Sequence, residues 1–127
     1  MSGEAGTKQI RVMIVEDHPE FRDLMKILLA RQSDIKLVAQ AGSLAEARKH
    51  AVRLEFDVAV LDLGLPDGDG VDLIADLRRA NPEVGVLVLS ASLDTASIER
   101  AAAADEIMDK LAPLDEVLGT LRRLGNA

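Results

Sequence analysis

Five short apolar runs recur along this chain, and each is followed by residues at helical spacing. The first run is Ile10 to Val15 (IRVMIV). Runs that are apolar at successive positions read as parallel strands, buried on both faces. Pro19 follows His18 and suits the first position of a helix, where its missing N–H costs nothing. Phe21, Leu24, Met25, Leu28 and Leu29 then make one apolar face, with Arg22, Asp23 and Lys26 turned outward. Ile35 to Ala41 is the second strand, and its Lys36 and Gln40 point to the edge of a sheet. Gly42 breaks that strand. Ser43 with Glu46 predicts a capping box at the start of the second helix, whose inner face carries Ala47, Ala51 and Leu54.

The third run, Asp57 to Leu61 (DVAVL), ends at Asp62 and leads into a turn-rich segment, GLPDGDG. Val71, Ile74 and Leu77 mark the third helix, closed by Asn81-Pro82. Val84 to Leu89 is the fourth strand and ends at Ser90. Asp94 is placed to cap a fourth helix with a weak, alanine-rich pattern. Ile107 and Met108 form a short fifth strand running to Lys110. Pro113 opens a last helix with Leu114, Val117, Leu118, Leu121 and Leu124 inward, and Gly125 ends it. Strict β-α alternation predicts an α/β fold with a five-stranded parallel sheet. Right-handed crossovers put helices on both faces, and the flavodoxin-like strand order 2-1-3-4-5 agrees with an edge-like second strand.

Composition narrows the function. The 127 residues (13.6 kDa) fit one domain, read here as residues 9–125 behind a disordered lead at 1–8. Aromatics are only 2%, so the core must be built from Val, Ile, Leu and Ala. The net charge of −7 and a pI near 4.8 argue against direct binding to nucleic acid or anionic lipid. The absence of cysteine excludes disulfides and thiolate metal sites. No apolar stretch is long enough to span a membrane, and the polar N-terminus lacks the apolar core of a signal peptide. The expected location is the cytoplasm.

Four of the five runs end at a charged or hydroxyl group: Glu16 and Asp17, Asp62, Ser90 and Lys110. In the expected order the first and third strands are neighbours, so Glu16, Asp17 and Asp62 crowd one mouth. Like charges that close repel, and a hard cation removes the penalty. Mg²⁺ takes oxygen ligands and keeps several waters, so one or two direct carboxylates suffice. Asp17 and Asp62 are the expected direct ligands, Glu16 acts through water, and the Gly64 carbonyl completes the shell. A carboxylate beside such a cation can attack phosphorus. Asp62 is then the acceptor, Lys110 a mobile positive charge, and Ser90 a hydroxyl that bonds the phosphoryl group once it has arrived.

The segments VMIVEDHP, VAVLDLGLPDGDG, LVLSAS and IMDKLAP together resemble the receiver domain of bacterial response regulators, over roughly residues 9 to 125. The EDHP start, AGSLAEA and KLAP look closest to receivers of the NarL/LuxR type. The resemblance implies that Asp62 is the phospho-accepting aspartate, Glu16 and Asp17 the acidic pair, Ser90 the switch hydroxyl and Lys110 the family's lysine. It implies Mg²⁺ as cofactor and a sensor histidine kinase or phosphotransfer protein as phosphodonor. The output is a protein contact or a DNA-binding helix-turn-helix domain, before which this chain stops. Receivers often pair through the face of the fourth and fifth helices, so a dimer through that face is also implied.

Two positions depart from the family pattern. Ile107 stands where an aromatic residue or His usually reports activation, which leaves switching to Ser90 and the loops around the fourth helix. Ala103-Ala104-Asp105 replaces a glycine-bearing turn. Alanine at positive φ would cost roughly 1–2 kcal/mol, so the fourth helix is expected to end differently and to be the least well-packed element.

Other residues read more plainly. Asp67, Asp69 and Asp72 lack EF-hand spacing, and Gly68 and Gly70 do not complete a dinucleotide-binding motif. His18 sits beside the site and is expected to serve at a helix start rather than as a metal ligand, and His50 is expected in solvent. Met13, Met25 and Met108 read as core. Two rival functions stand beside the signalling one. An aspartyl-phosphate phosphatase would need a second acid two residues after the nucleophile, where this chain has Gly64. A receiver-fold scaffold that ignores phosphorylation is favoured by Ile107 and opposed by the retained acids, Ser90 and Lys110.

Overall fold

The computed structural model describes residues 9–126; the lead expected at 1–8 lies outside the described residues. Twelve elements follow one another among the described residues. They are β1 (Ile10–Val15), α1 (Pro19–Ala30), β2 (Ile35–Ala41), α2 (Leu44–Arg53), β3 (Val58–Leu61), β4 (Gly64–Leu65), β5 (Gly68–Asp69), α3 (Gly70–Ala80), β6 (Gly85–Ser90), α4 (Thr95–Arg100), β7 (Glu106–Asp109) and α5 (Leu114–Gly125). Five parallel strands lie in the order β2-β1-β3-β6-β7, the flavodoxin-like order, with β2 at an edge. The short β4–β5 hairpin forms inside the GLPDGDG segment, where the sequence shows only turn residues.

Strand alternation sorts the core into two layers. Val12 and Ile14 of β1 join Val58 and Val60 of β3 and Leu87 and Leu89 of β6 against Met25 and Leu29 of α1 and Val117, Leu118 and Leu121 of α5. Met13, Val15, Ala59, Leu61, Val86 and Val88 face the other way, onto α2 and α3. Successive side chains point to opposite sides of a strand, so a sheet covered on both faces must be apolar at every position.

Helix ends follow local chemistry. Pro19 occupies the first turn of α1. Ser43 caps α2 by accepting from the Glu46 N–H, but Glu46 reaches past Ser43 and accepts from the Gly42 N–H at 3.0 Å, so the capping box is one residue wider than expected. The two preceding N–H groups of α2, on Leu44 and Ala45, donate to Asp67 in the β4–β5 hairpin at 2.8 and 3.1 Å. Asp69 caps α3 by accepting from the Val71 N–H.

The apolar faces are narrower than helical spacing implies. Leu24 and Leu54, expected inward, are largely exposed, because Phe21, Met25 and Leu29 fill the seat of α1 and Leu54 has already left α2. His50, expected in solvent, hydrogen-bonds the Gln40 carbonyl of β2 at 3.1 Å. The fourth helix is six residues long and buries none of them. Burying one Leu or Ile is worth roughly 1.5–3 kcal/mol, and α4 has no such contribution. It ends in turns at Ala101, and no described non-glycine residue has positive φ, so the Ala103-Ala104 stretch carries none of the strain feared for it.

Candidate functional site

The carboxyl ends of the parallel strands bring the predicted residues to one mouth. Glu16 and Asp17 follow β1, Asp62 follows β3, Ser90 closes β6 and Lys110 follows β7. Backbone bonds tie these ends together. The Asp62 N–H donates to the Val15 carbonyl at 3.0 Å, and the Lys110 N–H donates to the Ser90 carbonyl at 2.9 Å. The Glu16 N–H donates to Ala41, and Arg22 donates from Nη1 to the Glu16 carbonyl at 2.7 Å. Arg22 is therefore not turned outward, as the helix pattern suggests; it clamps the end of β1.

Glu16 is 2% exposed, and both its oxygens are engaged. Oε1 lies 2.6 Å from Lys110 Nζ, while Oε2 lies 2.9 Å from His18 Nδ1 and accepts from the His18 N–H at 3.1 Å. Burial alone would raise this carboxyl, but the bonds from Lys110 and His18 outweigh it and hold it below the usual range. Lys110 also reaches Asp62 Oδ2 at 3.3 Å and lies 5.0 Å above the Phe21 ring. Its ammonium is thus held from three sides, and although burial opposes the charge, Glu16 and Asp62 raise its pKa. Asp62 moves the other way from Glu16. Burial first, and the Glu16 charge second, raise it, with Lys110 and the Gly64 N–H opposing.

Asp17 carries the clearest sign of a missing partner. Its Oδ1 is buried and accepts no hydrogen bond, although the His18 ring nitrogen stands 3.4 Å away. A buried acceptor without a donor is costly. Donor atoms of Glu16, Asp17, His18 and Asp62 all lie within 4.8 Å of one another. A hard cation at that point would satisfy Asp17 and relieve the repulsion at Asp62, so these residues fit Mg²⁺. Gly64 stands at the rim with open space where a side chain would be.

Not every predicted residue meets the others. The Ser90 hydroxyl donates to the Ser92 carbonyl at 2.7 Å and accepts from the Ser92 N–H, with no bond to Asp62 or Lys110. Sequence reasoning placed His18 beside the site but read it as a helix-start residue, and it missed two contributors, Phe21 beneath Lys110 and Gly70. A Cβ at Gly70 would fall 2.6 Å from the Asp62 carbonyl, so α3 can start against the Asp62 backbone only with glycine. The spacing EDH was a signal for His18, since its ring lies two residues from Glu16; nothing local marks Phe21 or Gly70.

Residues 12–121 match the family profile described as the response regulator receiver domain. Response regulator protein PilR of Pseudomonas aeruginosa is 36% identical over 122 residues, covering 91% of this chain and 27% of PilR. The chain spans about a quarter to just over half the length of the curated relatives it matches. Among solved structures, the signal receiver domain of the putative response regulator NarL from Mycobacterium tuberculosis is similar with a TM-score of 0.83 and 25% identity, covering 94% of this chain and 98% of that one. The response regulator TrrA from Thermotoga maritima, solved in complex with Mg²⁺-BeF, gives a TM-score of 0.79 and 26% identity, covering 91% of this chain and 99% of that one.

Proposed function

We propose, from the premise that this chain belongs to the response regulator receiver family of two-component signalling, that it accepts one phosphoryl group on Asp62 and thereby changes an interaction face. The observation that carries this reading is the buried, unpartnered Asp17 Oδ1 beside Asp62 and Lys110. Asp17 and Asp62 would hold Mg²⁺ directly, with Glu16 supporting it through water and the Gly64 carbonyl available to the ion. The bound ion supplies positive charge that offsets the oxygens of the arriving phosphoryl group.

The donor is a phosphohistidine on a sensor kinase or phosphotransfer protein. An Asp62 oxygen attacks phosphorus, the P–N bond breaks, and the departing imidazole keeps the electron pair and takes a proton. Lys110 is already within reach of the acceptor and follows the new negative charge. Ser90 must release Ser92 to reach a phosphoryl oxygen, and that exchange moves the loop leading to α4. Because α4 buries no side chain of its own, small loop shifts can reposition it against β7 and α5. The output is a downstream protein, a pairing of two receivers through that face, or an attached DNA-binding domain.

Incubation with a small-molecule phosphodonor and Mg²⁺ tests the proposal. The chain gains the mass of one phosphoryl group, chelation of the metal prevents it, and Asp62→Asn gains nothing. Equal labelling of both proteins would refute it.

A further inference from the structure

Arg22 bridges the stretch where the acidic pair leaves the sheet. The last ladder bond at the end of β1 runs from the Glu16 N–H to the Ala41 carbonyl at 2.9 Å, and the first helical bond of α1 runs from the Arg22 N–H to the His18 carbonyl at 3.1 Å. Between them two side chains hold the backbone. Glu16 Oε2 accepts from the His18 N–H, and Arg22 Nη1 donates to the Glu16 carbonyl at 2.7 Å. Gly42 makes room for that guanidinium. A Cβ at residue 42 would fall 2.6 Å from Arg22 Nη1 and 3.7 Å from its Cζ. Gly42 has no positive φ that would otherwise call for glycine. The contact is with the far end of a flexible side chain, so a methyl group there would displace the guanidinium and leave the strand end in place.

The residue held by this clamp is Asp17. A peptide is planar, so pinning the Glu16 carbonyl also fixes the direction in which the Asp17 Cα leaves it. The Asp17 carboxylate has little of its own to keep it at the mouth. Its Oδ1 is buried and accepts no hydrogen bond, and oxygens of Glu16 and Asp62 stand within 4.8 Å and repel it. Before an ion arrives, such a group turns outward unless its backbone is fixed.

We infer that Arg22, seated over Gly42, is a positioning residue for the cation: it holds Asp17 toward Asp62 in advance and so raises Mg²⁺ affinity without touching the ion. This rests on the Mg²⁺-dependent phosphoacceptor reading above and deepens it. Fixing a ligand group beforehand removes an ordering cost from binding. The sign of the effect separates positioning from charge. A guanidinium near a Mg²⁺ site repels the ion, so deleting Arg22 would tighten binding if its charge were all that mattered. Loss of the clamp weakens binding instead.

Titration of the full chain with Mg²⁺, followed by amide shifts, tests this on wild type, Arg22→Met, Gly42→Ala, the double variant and Arg78→Met. Arg22→Met is expected to raise the Mg²⁺ dissociation constant about tenfold, the lower end of what loss of an outer-shell partner costs. Gly42→Ala keeps Arg22 but fills its seat, and should weaken binding by about threefold or more; it carries the test alone if Arg22→Met does not fold. The double variant should lie within about twofold of Arg22→Met, because both changes remove one contact. Arg78→Met deletes an arginine that bonds the Val84 and Ala103 carbonyls, ahead of β6 and β7, and should stay within about twofold of wild type. With a phosphodonor, excess Mg²⁺ should restore the Arg22→Met rate toward that of wild type, whereas a general loss of structure would lower the saturated rate and leave half-saturating Mg²⁺ unmoved. Equal or tighter Mg²⁺ binding in Arg22→Met, or full affinity in Gly42→Ala, would overturn the inference. Phosphorylation of Asp62 with an unchanged Mg²⁺ requirement in both variants would overturn it and leave the phosphoacceptor reading intact. Wild type that neither binds Mg²⁺ nor takes up phosphoryl would overturn both.

Discussion

Lys110 is bonded more closely to Glu16, at 2.6 Å, than to Asp62, at 3.3 Å. The Lys110 charge is therefore held chiefly by Glu16 rather than by Asp62, the acceptor proposed above. Both side chains are largely buried, so removing one leaves the other costly. Lys110→Met should destabilise the fold by roughly 3 kcal/mol, and pairing it with Glu16→Gln should recover much of that loss. Urea denaturation of the two single variants and the double variant measures the coupling.

Gly70 and Gly64 flank Asp62 but differ in room. A methyl group at Gly70 meets the Asp62 carbonyl at 2.6 Å and the Leu63 Cα at 3.3 Å, whereas one at Gly64 meets nothing within 4 Å. Gly70→Ala should cost roughly 1–3 kcal/mol and slow phosphoryl uptake by displacing Asp62. Gly64→Ala should leave stability unchanged. Thermal midpoints and initial phosphorylation rates distinguish the two.

Helix α4 is tethered to the loop after Asp62 through its last residue. Arg100 donates to Asp69 Oδ2 at 2.7 and 3.2 Å, while Asp69 Oδ1 caps α3. The pair is half exposed, so Arg100→Ala should cost less than about 0.5 kcal/mol globally. Locally the effect should be larger. Amide exchange across Thr95–Arg100 should already outpace that of α1, and the substitution should speed it further without changing α1.

Acid should dissolve one ion pair that joins the ends of two elements. The hydrogen-bonded Arg122 guanidinium, 2.6 Å from Asp34, holds that carboxyl below its ordinary range. A lowered folded value adds stability above the unfolded value of about 3.9, and that stability is lost as pH falls through the folded value. Both groups are substantially exposed, so the contribution is only about 0.5 kcal/mol. Wild type should exceed Asp34→Asn in urea midpoint near neutrality, and the two should converge as the pH drops below the folded value.

Much of the fold was legible because its strands are buried on both faces. The IRVMIV run could be nothing but an inner strand, and IKLVAQA showed its edge position through Lys36 and Gln40. The chemistry-bearing positions were legible for the same reason, as charged groups that interrupt apolar runs. Periodicity gives the direction of a helix face and not its width, which explains Leu24 and Leu54. Polar side chains with distant partners were also hidden. Asp67 reads as a turn residue, yet it caps a helix 22 and 23 residues earlier in the chain. Arg22 and His18 likewise acquire their roles only when β1 and α1 meet.

The most direct measurement is chemical trapping of the phosphorylated chain. Borohydride reduces an aspartyl phosphate to homoserine, and peptide mass spectrometry then locates the reduced residue. After treatment with phosphodonor and Mg²⁺, homoserine should appear at position 62 and nowhere else. Reduction at another acid, or phosphoryl incorporation with Asp62 intact, would contradict the assignment of Asp62 as the acceptor.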